Sequence, residues 1–211
     1  MNLSIKDTGP IQNASIELNG VTVITGPNDS GKSFTMKMLD CIAATFHKKT
    51  QGNPYLIFNW RIADAVGKID TSAELKLECD PALIKMNKPT SHSGWHINSS
   101  DKLDYRVKYI DMFNPVSCWM DERLSSTESD KYDITEVLNI LDDLYDGSWP
   151  LDDGSKMAGL SSGVKRILSM KSTLKSFVRK GPGILIIDTI ETNLDGDWLS
   201  KAIKALILMS K

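Results

Sequence analysis

The octapeptide Gly26-Pro27-Asn28-Asp29-Ser30-Gly31-Lys32-Ser33 constrains the fold of this chain more than any other stretch. It fits the pattern G-x-x-x-x-G-K-[ST], whose meaning depends on what flanks it. Before it, the apolar run Val21–Ile24 reads as a buried strand. After it, Phe34, Met38, Leu39, Ile42 and Phe46 recur at helical spacing. A strand, a glycine loop and a helix in that order let backbone N–H groups curl around phosphate oxygens, with the positive end of the helix dipole behind them. Gly26, Asn28, Asp29, Ser30, Gly31, Lys32, Ser33 and Phe34 are therefore the expected nucleotide contacts. Lys32 would reach the β- and γ-phosphates, and the Ser33 hydroxyl would serve Mg²⁺. A chance glycine turn would carry the same letters, but not in this context.

The rest of the chain suits an α/β protein. Gly9-Pro10 and Asn19-Gly20 are turn signals that separate Leu3–Ile5, Ala14–Leu18 and Val21–Ile24, so a small antiparallel start is expected. Trp60–Val66 reads as a short helix. Ala73, Leu75 and Leu77 alternate with Glu74, Lys76 and Glu78, and Leu103, Tyr105, Val107 and Tyr109 repeat the scheme. This predicts half-buried antiparallel strands joined by a polar loop around Pro89–Ser100. Ile134, Val137, Leu138, Leu141 and Leu144 form a helical stripe within 115–150, and a further helix begins near Ser161. Gly181-Pro182-Gly183 breaks it before the apolar run Ile184–Asp188, and Trp198–Met209 reads as a last helix. The expected organisation is one domain over 1–211. Residues 1–50 and 156–211 form its nucleotide-binding core, and 51–155 form a β-hairpin and helical lobe.

With 211 residues, 41% of them hydrophobic, the chain can bury one sizeable core. Its net charge of −2 gives no global reason to expect nucleic acid or an anionic membrane. Bases without acids from Lys156 to Lys180 keep nucleic acid open as a partner, although a solvated helix face has the same composition. Cys41, Cys79 and Cys118 are odd in number and in no metal-ligand spacing, as in a reduced cytoplasmic protein. No secretory layout opens the chain, and no apolar run reaches the ~20 residues that cross a bilayer.

Three short segments then carry a resemblance. Ile184-Leu185-Ile186-Ile187-Asp188 is an apolar strand ending on an acid. Leu160-Ser161-Ser162-Gly163-Val164-Lys165-Arg166 precedes it, and Asn193-Leu194-Asp195 follows. Together with the N-terminal Gly9–Ser33 stretch, they resemble the head of an ABC-type ATPase. The branch is that of the structural-maintenance-of-chromosomes, recombination-repair and stand-alone bacterial-defence ATPases. The resemblance covers both ends of the chain and hardly touches 50–155. It implies a P-loop NTPase fold of ABC type that binds ATP and Mg²⁺, the metal held by Ser33 and, through water, Asp188. It also implies a homodimer across the ATP sites, in which Ser161, Ser162 and Gly163 of one copy cap the γ-phosphate bound by the other and Asp195 touches the partner. Stand-alone relatives in antiviral defence suggest an effector or nuclease partner. An ordinary helix cap is the plain alternative for Ser161–Gly163.

Two departures bear on turnover. Where the resemblance places a glutamate that polarises water, this chain has Thr189, whose hydroxyl can orient a water but is no base near neutral pH. Glu191 shares a strand face with position 189 and is the next acid along the chain, though a loop or interface role suits it better. Loss of the general base costs ~10²–10⁴-fold in such chemistry, so slow hydrolysis is expected. A substitution introduced to trap the ATP-bound form would read the same way. The second departure is the switch histidine. The resemblance places it in a strand after the final helix, and the sequence ends at Lys211 before that strand. Gln51 comes too early for a glutamine loop, and His92, Trp95 and His96 lack a third ligand at metal spacing. The reading is a nucleotide-gated switch. A DNA-repair or chromosome motor, a transporter subunit and a P-loop kinase are the alternatives.

Overall fold

The computed structural model describes residues 1–47, 50–66, 72–90, 94–98, 101–112, 139, 140, 143, 161–179, 183–190 and 196–210. The chain divides into two compact units, Met1–Val107 and Lys108–Lys211.

In the first unit the turn at Gly9-Pro10 folds β1 (Asn2–Thr8) back on β2 (Ile11–Glu17), with Ile5 opposite Ala14. The predicted alternation over 73–79 becomes β3 (Ala73–Cys79), which buries Ala73, Leu75, Leu77 and Cys79 and points Glu74 to solvent. It pairs with β1 on one side and β4 (Ala82–Lys88) on the other, Leu75 facing Ile5 and Met86. A short β5 (His96–Ile97) completes an antiparallel sheet in the order β2-β1-β3-β4-β5. The helix after the glycine loop is α1 (Lys32–Phe46), and Met38, Leu39, Ile42 and Phe46 bury as their spacing predicts. It packs on α2 (Pro54–Val66), which begins six residues before the predicted Trp60. Trp95 is fully buried edge-on to Phe58, with ring centroids 5.7 Å apart. Its backbone is clamped by Asn59, and His96 beside it is exposed, so Trp95 belongs to the core; His92 lies outside the described residues.

The second unit holds the paired strands β6 (Arg106–Asp111), which spans the boundary between the units, and β7 (Gly183–Asp188). It also holds α3 (Ser162–Arg179) and α4 (Gly196–Met209), both near their predicted places. Its core joins Ile110 and Met112 to Met170, Leu174, Ala202 and Ala205, with Leu185 and Ile187 packed against them. The helical stripe expected over 134–144 lies largely outside the described residues.

Two expectations fail. Val21–Thr25 joins no ladder, and Val23 is 75% exposed. The Thr22 hydroxyl accepts from Asn19 N and donates to Glu17 O, so local side-chain bonds stand in for strand pairing. Both edges of β1 are already taken, by β2 and β3. The alternation at Leu103–Tyr109 likewise does not extend the antiparallel sheet. Leu103 is buried through a bond from its N–H to Phe46 O, and the strand that starts at Arg106 pairs with β7 instead. Ile110 within it and Met112 just after it are buried, of opposite parity to Val107 and Tyr109.

Candidate nucleotide-binding site

The loop before α1 takes its shape from residues that tolerate positive φ. Gly26 (155°), Asp29 (61°) and Gly31 (89°) all have it. Gly31 is the N-cap of α1, and a Cβ there would stand 3.1 Å from Ile11 Cγ1. A side chain would therefore meet both backbone strain and the β1–β2 turn. No side chain caps the helix, and no acid lies in its first turn, so its N-terminal dipole is not neutralised locally. Gly31 O is held by Thr35, through N–H (2.8 Å) and hydroxyl (2.9 Å).

Lys32 folds back over this loop. Its Nζ donates to Gly26 O at 2.9 Å and to Pro27 O at 2.7 Å. An ammonium has three donors in all, so a phosphate oxygen can be served without dismantling the loop. Asn28, Asp29 and Ser30 form the exposed tip, and Ser33 and Phe34 are half-buried in the first turn of α1. Beside the loop, a hollow of about 400 Å³ is lined by Ile11, Asn13, Ile16, Thr25, Gly31 and Lys32 among others.

A second constellation stands at the end of β7. Asp188 is only 6% exposed. The Tyr109 hydroxyl donates to its Oδ2 at 2.8 Å, linking residues 79 apart in sequence. Its carbonyl accepts from Met112 N at 3.3 Å and from the Thr189 hydroxyl at 2.7 Å. The Met112 bond sets the C-terminal ends of β6 and β7 side by side. Thr189 has φ 57°, a left-handed conformation that a β-branched residue rarely adopts. Such a backbone costs ~1–3 kcal/mol, and the hydroxyl bond to Asp188 O accompanies it.

At the start of α3 the Ser161 hydroxyl accepts from Val164 N at 3.3 Å, the geometry of an N-cap. Gly163 is half-buried within the first turn, and no acid opposes the dipole there. Of Ser162 only the helical backbone is described; Glu191 and Asp195 lie outside the described residues. The structure thus gathers Gly26, Gly31, Lys32 and Ser33 in the first unit. In the second it gathers Asp188 and Thr189, with Tyr109 added. Sequence reasoning missed Tyr109 because it counted the residue as one of an apolar face. The signal available was its phenol, shared in that alternating set only by Tyr105, a donor able to reach a carboxylate beyond its own strand.

No family model matches this sequence, and no curated protein does. Among solved structures, the fold is similar to that of the SMC head domain from Thermotoga maritima. The TM-score is 0.52 and the sequence identity 17%, over 99% of this chain and 84% of that one. At that identity the likeness is one of fold. The chain is a mixed α/β protein with an antiparallel sheet, built like an SMC head.

Proposed function

We propose that this chain is an ABC-type head that binds ATP with Mg²⁺, joins a second copy face to face, and hydrolyses slowly. It would act as a nucleotide-gated switch in the cytoplasm. The observation that carries the reading is the uncapped N-terminus of α1 behind a loop whose Lys32 ammonium bonds the Gly26 and Pro27 carbonyls. That is a cradle for a polyphosphate, with one fixed cation and the dipole of a helix directed at one place.

The donor chemistry suits Mg²⁺. Ser33 and Asp188 offer hard oxygens, and the described residues contain no group of three or more His, Cys, Asp and Glu able to cage a metal. Mg²⁺ takes one or two protein oxygens and completes its shell with water and substrate phosphates. When bound it would neutralise charge on the β- and γ-phosphates. Ser33 would hold it by the hydroxyl and Asp188 through water, while Lys32 would balance the γ-phosphate. Thr189 has its hydroxyl on a backbone carbonyl and no group able to accept a proton at neutral pH. The chain would therefore close on ATP readily and release it slowly.

Ser161–Gly163 would meet the second copy's nucleotide, the Ser161 hydroxyl leaving its cap for phosphate, and Asp195 would touch the second copy beside it. Binding energy, not turnover, would then move the equilibrium. An effector of nuclease type is the partner that the resemblance to stand-alone bacterial-defence ATPases suggests. Among the described residues, no helix is long and apolar enough to cross a membrane.

ATP binding by calorimetry, with sedimentation in Mg²⁺–ATP, tests the reading. Wild type is expected to bind ATP and to double in mass, and Lys32→Ala to do neither. Wild type that stays monomeric with ATP bound would remove the face-to-face switch, and absence of ATP binding would remove the whole proposal.

A further inference from the structure

We infer that Tyr109 is a positioning residue for the Asp188 carboxylate, whose hydroxyl bond sets how that group is presented to a metal-bound water. The inference rests on the proposed reading of Asp188 and adds to it a residue on another strand.

The parity of the two strands brings the groups together. Ile110 of β6, Met112 just beyond its end, and Leu185 and Ile187 of β7 all serve one core. Side chains alternate across a sheet, so Tyr109 and Asp188 share the opposite face. The Met112 N–H to Asp188 O bond holds the strand ends in step, which fixes how far Tyr109 must reach. Its hydroxyl meets Oδ2 at 2.8 Å, the length of a good O–H···O bond. A carboxylate turns about a soft, two-fold torsion. Asp188 stands buried at the end of its strand, beside the left-handed Thr189, and the Tyr109 bond reaches it there from the neighbouring strand. A neutral donor holds the carboxylate in one orientation without cancelling its charge, as a cation in that place would. Donors behind metal-directed carboxylates commonly govern affinity in this way.

The test is ATP affinity of the full chain measured twice, with excess Mg²⁺ and with EDTA, so that the ratio isolates the magnesium-linked part. Tyr109→Phe removes one oxygen and keeps the ring. It is expected to lower the magnesium enhancement about tenfold and to leave affinity in EDTA unchanged. Tyr109→Met also lacks the donor and adapts to the slot, and it decides the question if Tyr109→Phe does not fold. In Asp188→Asn, which abolishes the enhancement by itself, adding Tyr109→Phe is expected to change nothing further. An unchanged enhancement in the Tyr109 variants, or equal losses with and without Mg²⁺, overturns the positioning role while leaving Asp188 in place. An Asp188→Asn chain that keeps the full enhancement overturns the reading of Asp188 itself.

Discussion

Thr189 is where chemistry and backbone meet most sharply. Its β-branched side chain sits at φ 57° and its hydroxyl is bonded to Asp188 O. Asparagine tolerates that region and threonine does not. Thr189→Asn should therefore hold or raise stability in urea titration, whereas Thr189→Val should lose about 1 kcal/mol, since it keeps the strain and drops the hydrogen bond. Thr189→Glu should raise ATP turnover by at least about tenfold, toward the ~10²–10⁴-fold range of general-base catalysis. Brisk turnover by the unmodified chain would contradict the role given to Thr189. Cys41 offers a different check. Burial, reinforced by the charge of Asp40, pushes its thiol from an ordinary 9.0 up to about 12. Peptide-resolved alkylation at pH 8 should leave Cys41 unmodified in the folded chain and modify it in urea. Because the folded value is raised, the stability this thiol contributes is intact below pH 9.0 and falls as pH climbs toward about 12.

At the scale of elements, strong periodicity was legible and partnership was not. α1 and β3 follow their spacing because each buries one regular face, whatever lies opposite. Leu77, fully buried on the central strand, should cost ~2–5 kcal/mol as Leu77→Ala. The turn at Gly9 ties β1–β2 to the loop helix, since a Cβ there would lie 2.6 Å from the ring of Phe34 and φ is 56°. Gly9→Ala should therefore destabilise by more than the ~0.5 kcal/mol usual for a surface change and displace Phe34, which thermal unfolding together with ATP affinity would register. Val21–Ile24 and Leu103–Tyr109 were misjudged for a shared reason. An alternating run states that a strand is favourable, but not which edge will receive it.

For the whole molecule, ATP with Mg²⁺ should act as a ligand of the native state. At a hundred times the dissociation constant it would stabilise by ~2.7 kcal/mol. For a chain of this size that corresponds to a rise in Tm of roughly 5–10 °C, which Lys32→Ala should abolish in a thermal scan. The glycine loop, the helix behind it and the strand ending on Asp188 were all readable from local order, because they depend on neighbours in the chain. Covalent neighbours could not say that the Tyr109 hydroxyl would meet Asp188 across 79 positions, that Thr189 would take a left-handed backbone, or that Val23 would stand 75% exposed. Those outcomes depend on which strand edges and which core faces find one another, and that competition is settled only when the chain folds.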